Sequence, residues 1–147
     1  MTPSTAQTLL LVTVGDEERP LGIALRRGWM GRCPACGAGP MLKSYLKVRD
    51  YCPVCHEALS HQRADDGPAY LTILIVGHIL APTIFFVFVT FRPDPLTLAA
   101  IFSVGTVALS LFLLPRLKGV MVALQWAKRM HGFGAEIKAA PPPRVHD

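Results

Sequence analysis

The sequence predicts a membrane protein built on an α-helical hairpin of two transmembrane helices, with an N-terminal zinc-ribbon-like module and a C-terminal interfacial amphipathic helix. Three observations lead to this fold class. The 147 residues are 51% apolar and only 17% charged, which is unusual for a soluble domain. Two long segments in the second half carry no charged residue. Two Cys-x2-Cys pairs precede them.

The charge-free segments cover 69–91 and 96–114, which are 23 and 19 residues long. As α-helices they would measure roughly 35 Å and 28 Å, close to the hydrocarbon core of about 30 Å. The short connector between them, with prolines at 93 and 95, predicts a tight antiparallel hairpin over 68–115. A pair of buried core helices is the alternative, but so short a chain has little else with which to cover them.

The basic residues predict the orientation of this hairpin. Eight of the 15 Lys and Arg residues precede the first span, six follow the second, and only Arg92 lies in the connector. Because positive flanks stay in the cytoplasm, we expect a multi-pass protein with both termini on that side. This topology, with attraction to the anionic lipid bilayer, accounts for the net charge of +5, so no nucleic-acid partner is expected.

The N-terminal half is predicted to be cytoplasmic as well. The apolar run at 8–14 has no basic residue before it, so it does not read as a secretory signal. Residues 1–25 are expected to be a flexible tail and 26–60 the cysteine module, with a short strand at 41–48. In a reducing compartment the cysteines should not pair as disulfides.

The segment after the second span predicts a separate element. Pro115 is expected to kink or end the transmembrane helix. Residues 116–134 then predict an amphipathic helix at the interface, with Gln125 on its polar face and Trp126 at headgroup level. Residues 135–147 contain three consecutive prolines and predict a disordered tail.

The candidate metal ligands are the four cysteines. Fifteen residues separate Cys33-x2-Cys36 from Cys52-x2-Cys55, which is a spacing typical of four-cysteine zinc sites. Two tight turns supply the tetrahedral thiolates that Zn²⁺ accepts. A closed shell of four thiolates indicates a structural metal rather than a hydrolytic one. His56 follows the second pair where Gly37 follows the first, and could replace a cysteine or hydrogen-bond to a thiolate.

Iron is the alternative metal, because paired Cys-Pro-x-Cys turns also occur in rubredoxin-like electron carriers. The alternative function is therefore an iron electron carrier or a metal-handling membrane protein that passes a metal on. The surroundings of the cysteines contain few aromatic residues for a tuned redox centre, which favours zinc. A thioredoxin-like dithiol is disfavoured because no βαβ pattern surrounds either pair.

His78 lies near the middle of the first span, where an ionisable side chain is a candidate functional group. One interpretation is a neutral histidine that hydrogen-bonds across the hairpin to Thr106 or Ser110. The other is an intramembrane ligand, for haem or copper, or a proton-handling group facing a partner protein. His78 remains the candidate cofactor-binding residue.

Other polar residues cluster near the predicted cytoplasmic interface and could form a second, weaker metal site, although capping and solvation explain them more simply. They are His61, Asp65, Asp66 and His131. The sequence contains no recognisable catalytic motif: no Ser-His-Asp set, phosphate loop, HExxH motif or pair of carboxylates. We therefore expect neither an enzyme nor a small-molecule substrate.

Several separated motifs resemble one protein family. They are Arg32-Cys-Pro-Ala-Cys-Gly37, Ala64-Asp-Asp-Gly-Pro-Ala-Tyr70, Ile75-Val-Gly-His78, Lys118-Gly119, Ala123-Leu-Gln-Trp126 and Arg129-Met-His-Gly-Phe133. Together, over about residues 26 to 134, they resemble a proteobacterial membrane family known as domain of unknown function 983.

The resemblance implies a small bacterial inner-membrane protein with a cytoplasmic zinc ribbon and two spans. Family genes often lie among those for cytochrome oxidase biogenesis. We therefore expect a non-enzymatic accessory or assembly factor with an integral membrane partner, such as a respiratory oxidase or its assembly machinery. Members commonly have glycine at the position of His56, which makes the geometry of that turn a specific question for the structure.

Overall fold

Three α-helices frame the cysteine residues in the computed structural model, which describes residues 19–64 and 66–133. Helix α1 covers Leu21–Trp29, α2 covers Gly67–Phe91 and α3 covers Pro95–Ala127, followed by a 3₁₀ turn at Met130–Gly132. The cysteine module lies between α1 and α2. Helix α1 begins inside the predicted flexible tail 1–25, so residues 21–25 are helical. The predicted disordered tail at 135–147 lies outside the described residues.

Helices α2 and α3 are long and apolar enough to cross a membrane. Their most apolar windows are only 11% and 6% buried, so the described residues do not cover them as a soluble core would. Arg92 ends α2 in the left-handed conformation, with φ 43°. The carboxylate of Asp94 then starts α3 by accepting from the backbone N–H of Leu96 and Thr97, both at 3.1 Å.

The two long helices contact each other through aliphatic side chains near the cysteine module. Val76 of α2 is buried with Leu113 and Leu117 of α3, and four partly buried residues pack against them. These are Leu71, Ile75, Leu80 and Leu109. The charge-free parts beyond this cluster expose most of their large side chains, including phenylalanines at 85, 86, 88 and 91.

The sequence predicts that Pro115 kinks or ends the transmembrane helix, and α3 does not end there. A proline has no N–H, so the carbonyl of Leu111 loses its helical donor. The hydroxyl of Tyr45, on the cysteine module, donates to that carbonyl instead. Helix α3 therefore continues through Pro115 for three more turns to Ala127.

Because α3 continues through Pro115 to Ala127, the predicted interfacial helix at 116–134 is not a separate element. The side of this segment that packs against protein includes Val122 and Ala123, which are fully inaccessible. Gln125, which the sequence places on the polar face, is buried. Its side-chain amide accepts a hydrogen bond from the backbone N–H of Arg63 and donates one to the backbone carbonyl of Arg63. Trp126 is only 7% exposed, because protein covers its ring. The face of α3 that carries the cysteine module therefore includes residues predicted to lie on the polar face.

The cysteine module contains no regular strand among the described residues. The predicted strand at 41–48 is instead a tight turn, closed by one antiparallel bridge between Leu42 and Val48. Two further isolated bridges join Arg32 to Pro40 and Tyr51 to Ala58. Met41, Leu59 and Ala64 share a buried cluster with Val122 of α3. The module is thus too small for a core of its own and completes one on the helix.

Candidate metal centre

Each Cys-x2-Cys pair forms a turn with the same backbone geometry. The N–H of Gly37 donates to the carbonyl of Cys33 at 2.8 Å, and the N–H of His56 donates to the carbonyl of Cys52 at 3.0 Å. Both closing residues are left-handed, with φ 72° for Gly37 and φ 59° for His56. His56 therefore adopts the glycine conformation despite its side chain, which answers the question raised by the sequence.

The chain segments that follow the two turns close back onto the first cysteine of each pair. The N–H of Cys33 donates to the carbonyl of Gly39 at 2.8 Å, and the N–H of Cys52 donates to the carbonyl of Glu57 at 3.0 Å. Gly39 also lies against the other turn, because a Cβ placed there would be 2.5 Å from the sulfur of Cys52. No sequence pattern indicates this requirement at Gly39.

The four sulfur atoms converge on one point. All lie within 4.8 Å of one another. The sulfur of Cys33 is 3.7 Å from that of Cys55, and the sulfur of Cys36 is 3.8 Å from that of Cys52. A tetrahedral ion with bonds of about 2.3 Å separates its sulfurs by about 3.8 Å. The cluster can therefore hold a metal ion, as the spacing predicts.

The same distances exclude disulfide pairing in this arrangement, since an S–S bond is about 2.05 Å long. All four thiols are free. The donor set does not identify the metal, because four tetrahedral thiolates suit both zinc and iron. Cys33 and Cys52 are buried and Cys55 is exposed, so the cluster lies at the edge of the module.

Ionisation of the thiols is uneven in the metal-free cluster. Burial raises the pKa of Cys33 far above its ordinary value, and it raises the pKa of Cys55 to about 11. Burial opposes ionisation of Cys36 too, but the backbone N–H groups of Gly39 and Ala38 outweigh it and lower the pKa of that thiol to about 6. Cys36 is therefore more readily ionised than Cys33 and Cys55 in the metal-free cluster.

Two contacts that the sequence did not indicate fix the first turn to α1. One guanidinium nitrogen of Arg27 donates to the carbonyls of Pro34 and Ala35, at 2.8 Å and 2.7 Å. The guanidinium also lies against Gly37, where a Cβ would be 2.7 Å from the Nε of Arg27. Arg27 thus joins helix and metal turn directly.

The second turn is fixed to the end of α3. The indole N–H of Trp126 donates to the carboxylate of Glu57 at 2.7 Å. Arg19 stacks on the same indole, with its guanidinium carbon 4.4 Å from the ring centroid, and donates to the carbonyl of Trp126 at 2.8 Å. Both halves of the cysteine cluster are therefore attached to helices.

The histidines predicted as additional ligands lie apart from the cysteines. The side chain of His56 is exposed and is not one of the converging ligands. His61 packs on Phe133, with ring centroids 5.8 Å apart. Within 19–64 and 66–133 the four cysteines are the only group placed to hold a metal, so His61, Asp66 and His131 do not form the second site. Asp65 lies outside the described residues.

His78 points outward from α2. Its Nδ1–H donates to the carbonyl of Leu74 in the same helix at 2.8 Å, and its side chain is exposed. The hydroxyl of Thr106 donates within α3, to the carbonyl of Phe102 at 2.5 Å. No hydrogen bond joins His78 to Thr106 or Ser110 in the part of the chain that the structure describes. The outward Nε2 stays available to a partner.

Comparison with known proteins gives one match. No curated protein and no solved structure matches the chain. The model of a family described as "Protein of unknown function (DUF983)" matches residues 42–126. This range is more than half of the chain, and it starts after the first cysteine pair and includes the second, both long helices and Trp126. The chain therefore belongs to the DUF983 family.

Proposed function

We propose that this protein is a non-enzymatic accessory or assembly factor of a bacterial inner membrane, whose zinc-stabilised cytoplasmic module is held on a transmembrane hairpin. The observation that carries the proposal is the attachment of both metal turns to packed helices, the first turn to α1 and the second to α3, which continues into an exposed apolar segment. Arg27 holds the first turn and Trp126 holds the second. The metal-stabilised cysteine module is therefore joined to helices whose exposed apolar surfaces suit lipid and other membrane proteins.

The apolar surface supports the membrane assignment. Phe85 and Phe91 are each 70% exposed and Leu96 is 80% exposed, which a soluble monomer rarely tolerates over such an area. The basic flanks support a hairpin with its connector outside and the cysteine module in the cytoplasm.

The closed set of thiolates supports a structural metal. Cys33, Cys36, Cys52 and Cys55 would hold it, and the ion would cross-link the two turns. Four protein ligands leave no position for substrate or water. A respiratory oxidase, or its assembly machinery, is the partner class that the family resemblance favours.

The test begins with purification of the tagged full-length protein from its own membranes in mild detergent. We expect retention in the membrane after carbonate washing, one colourless zinc per chain, and co-purification of a larger membrane complex. Cys36→Ser should lower zinc content and partner recovery together. Ser60→Ala, an exposed change in the same module, should alter neither.

Three results would contradict the proposal, each a different part of it. Release by carbonate contradicts the hairpin. Visible thiolate-to-iron absorption bands contradict structural zinc and establish the electron-carrier alternative, which the same tetrahedral sulfurs can serve. Recovery of the protein always alone contradicts the accessory role.

A further inference from the structure

A cavity of about 490 Å³ opens between the end of α1 and α3. Pockets for small ligands usually span about 300–1,000 Å³. Its walls combine apolar and cationic groups and contain no acidic side chain. The residues that matter here are Trp29, Met30, Arg32, Pro115 and Arg116.

The cavity lies where the charge-free part of α3 stops. Leu114 is the last residue of that segment, and Arg116 is the first charge after it. The hydroxyl of Tyr45 donates to the carbonyl of Leu111, so the surface of the cysteine module reaches the last turn of the segment. In the proposed membrane orientation, the cavity mouth is therefore level with the phospholipid headgroups.

Two arginines supply the cationic wall. The side chain of Arg32 is exposed and has no hydrogen bond or ion pair within the described residues. Arg116 lies on the ring of Phe112, 3.6 Å from its centroid, and uses one N–H on the carbonyl of Phe112 at 2.9 Å. Its other donors are left for a ligand, because a guanidinium has five. Paired guanidinium N–H groups match phosphate oxygens in geometry and charge.

The apolar wall distinguishes a lipid from a free anion. Trp29 is 42% exposed and Met30 is 52% exposed, although both are large and apolar. Tryptophan is enriched at the membrane interface because its ring suits the headgroup region. Lys43 and Lys47 are exposed on the turn that carries Tyr45, and they add positive charge on the same side.

We propose that this cavity binds the phosphate of an anionic phospholipid, with Arg32 and Arg116 on the phosphate and Trp29 and Met30 against the glycerol and upper acyl chains. The inference rests on the proposed membrane location. It adds a specific lipid site that fixes the height of the metal module above the bilayer.

The test is native mass spectrometry of the full-length, metal-loaded protein in non-ionic detergent. Phosphatidylglycerol and phosphatidylcholine with the same acyl chains are titrated separately, and the dissociation constant of the first bound lipid is compared. Wild type should prefer phosphatidylglycerol by about tenfold, because both lipids offer a phosphate but the choline cation of phosphatidylcholine cancels its charge and is repelled by the two arginines. Arg32→Gln and Arg116→Gln should each bring the two lipids within about twofold of one another.

Arg26→Gln is the matched control, since it removes the same charge from an exposed position on α1 outside the cavity. It should keep the preference. Metal content and helical circular dichroism of every variant confirm folding. Inorganic phosphate is the remaining probe, and it should neither bind at millimolar concentration nor displace the lipid.

Four results overturn the inference: equal binding of both lipids by wild type, an unchanged preference in both arginine variants, an equal loss in Arg26→Gln, or displacement by inorganic phosphate. None of these results contradicts the proposed function, provided that the protein resists carbonate extraction and retains its metal. Release by carbonate is the separate failure, that of the membrane location itself.

Discussion

Gly28 of α1 and Gly119 of α3 lie in backbone contact where the two helices cross. A Cβ on Gly28 would be 2.7 Å from the Cβ of Ala123 and 2.9 Å from the carbonyl carbon of Gly119. A Cβ on Gly119 would be 3.0 Å from the carbonyl carbon of Gly28. Neither position has room for a side chain. This crossing brings the first metal turn, which Arg27 holds, against the helix that also carries the second.

Gly119→Ala should separate the module from α3. Overpacking of a close contact costs about 1–3 kcal/mol, and the gain in helix propensity offsets about 1 kcal/mol of it. We expect a lower thermal midpoint in detergent, faster protease cleavage between α1 and α2, and faster loss of metal to a chelator.

Gly105→Ala is the control for that experiment, because it makes the same change in α3 with nothing within 4 Å of the new methyl group. It should leave the thermal midpoint unchanged or slightly raised. Equal destabilisation by the two variants would mean that the crossing at Gly28 has no special role.

Tyr45→Phe should destabilise α3 at Pro115. Loss of the hydroxyl leaves the carbonyl of Leu111 without a donor, at a cost of about 1 kcal/mol or more. The measurement is the free energy of unfolding in a detergent titration.

Pro115→Ala provides the matched background, since an alanine N–H can serve Leu111 along the helix. Tyr45→Phe should cost less in that background than in wild type, so the double mutant should lose less stability than the sum of the two single variants. Additive effects would show that the tyrosine acts by packing alone.

The fold was predictable where the signal is local and not where it depends on distant residues. The absence of charge located α2 and the start of α3 within two residues, and the cysteine spacing located the cluster. The predicted end of the second span was wrong because the hydroxyl that replaces the missing donor at Pro115 belongs to Tyr45, 66 residues from Leu111 in the sequence. Periodicity likewise predicts an amphipathic helix over 116–134, but it cannot show which face a distant part of the chain covers, and Gln125 of the predicted polar face is buried.

His56→Gly should stabilise the second metal turn. His56 has φ 59°, a conformation that costs a non-glycine residue roughly 1–2 kcal/mol, and its exposed ring is not among the converging ligands. We expect slower transfer of metal to a competing chelator and a higher thermal midpoint. Val54→Gly, in the same turn but outside the left-handed region, should instead destabilise it. Faster metal loss from His56→Gly would identify the imidazole as a ligand.

Metal binding should strengthen steeply as the pH rises, because only thiolates bind the ion. The raised pKa values of Cys33 and Cys55 keep both thiols protonated in the metal-free protein at neutral pH, so binding must release at least these two protons. Apparent affinity should then increase by at least about 100-fold per pH unit between pH 7 and 8.

Below about pH 6, metal binding must also release the proton of Cys36. Its pKa of about 6 means that the thiol has already ionised above that pH, whereas below it the metal must displace one more proton. The slope of log affinity against pH should therefore increase by about one unit as the pH falls through 6. Competition with a chelator of known pH dependence measures this slope. A slope near zero across the range would show that the thiols are ionised before the metal arrives.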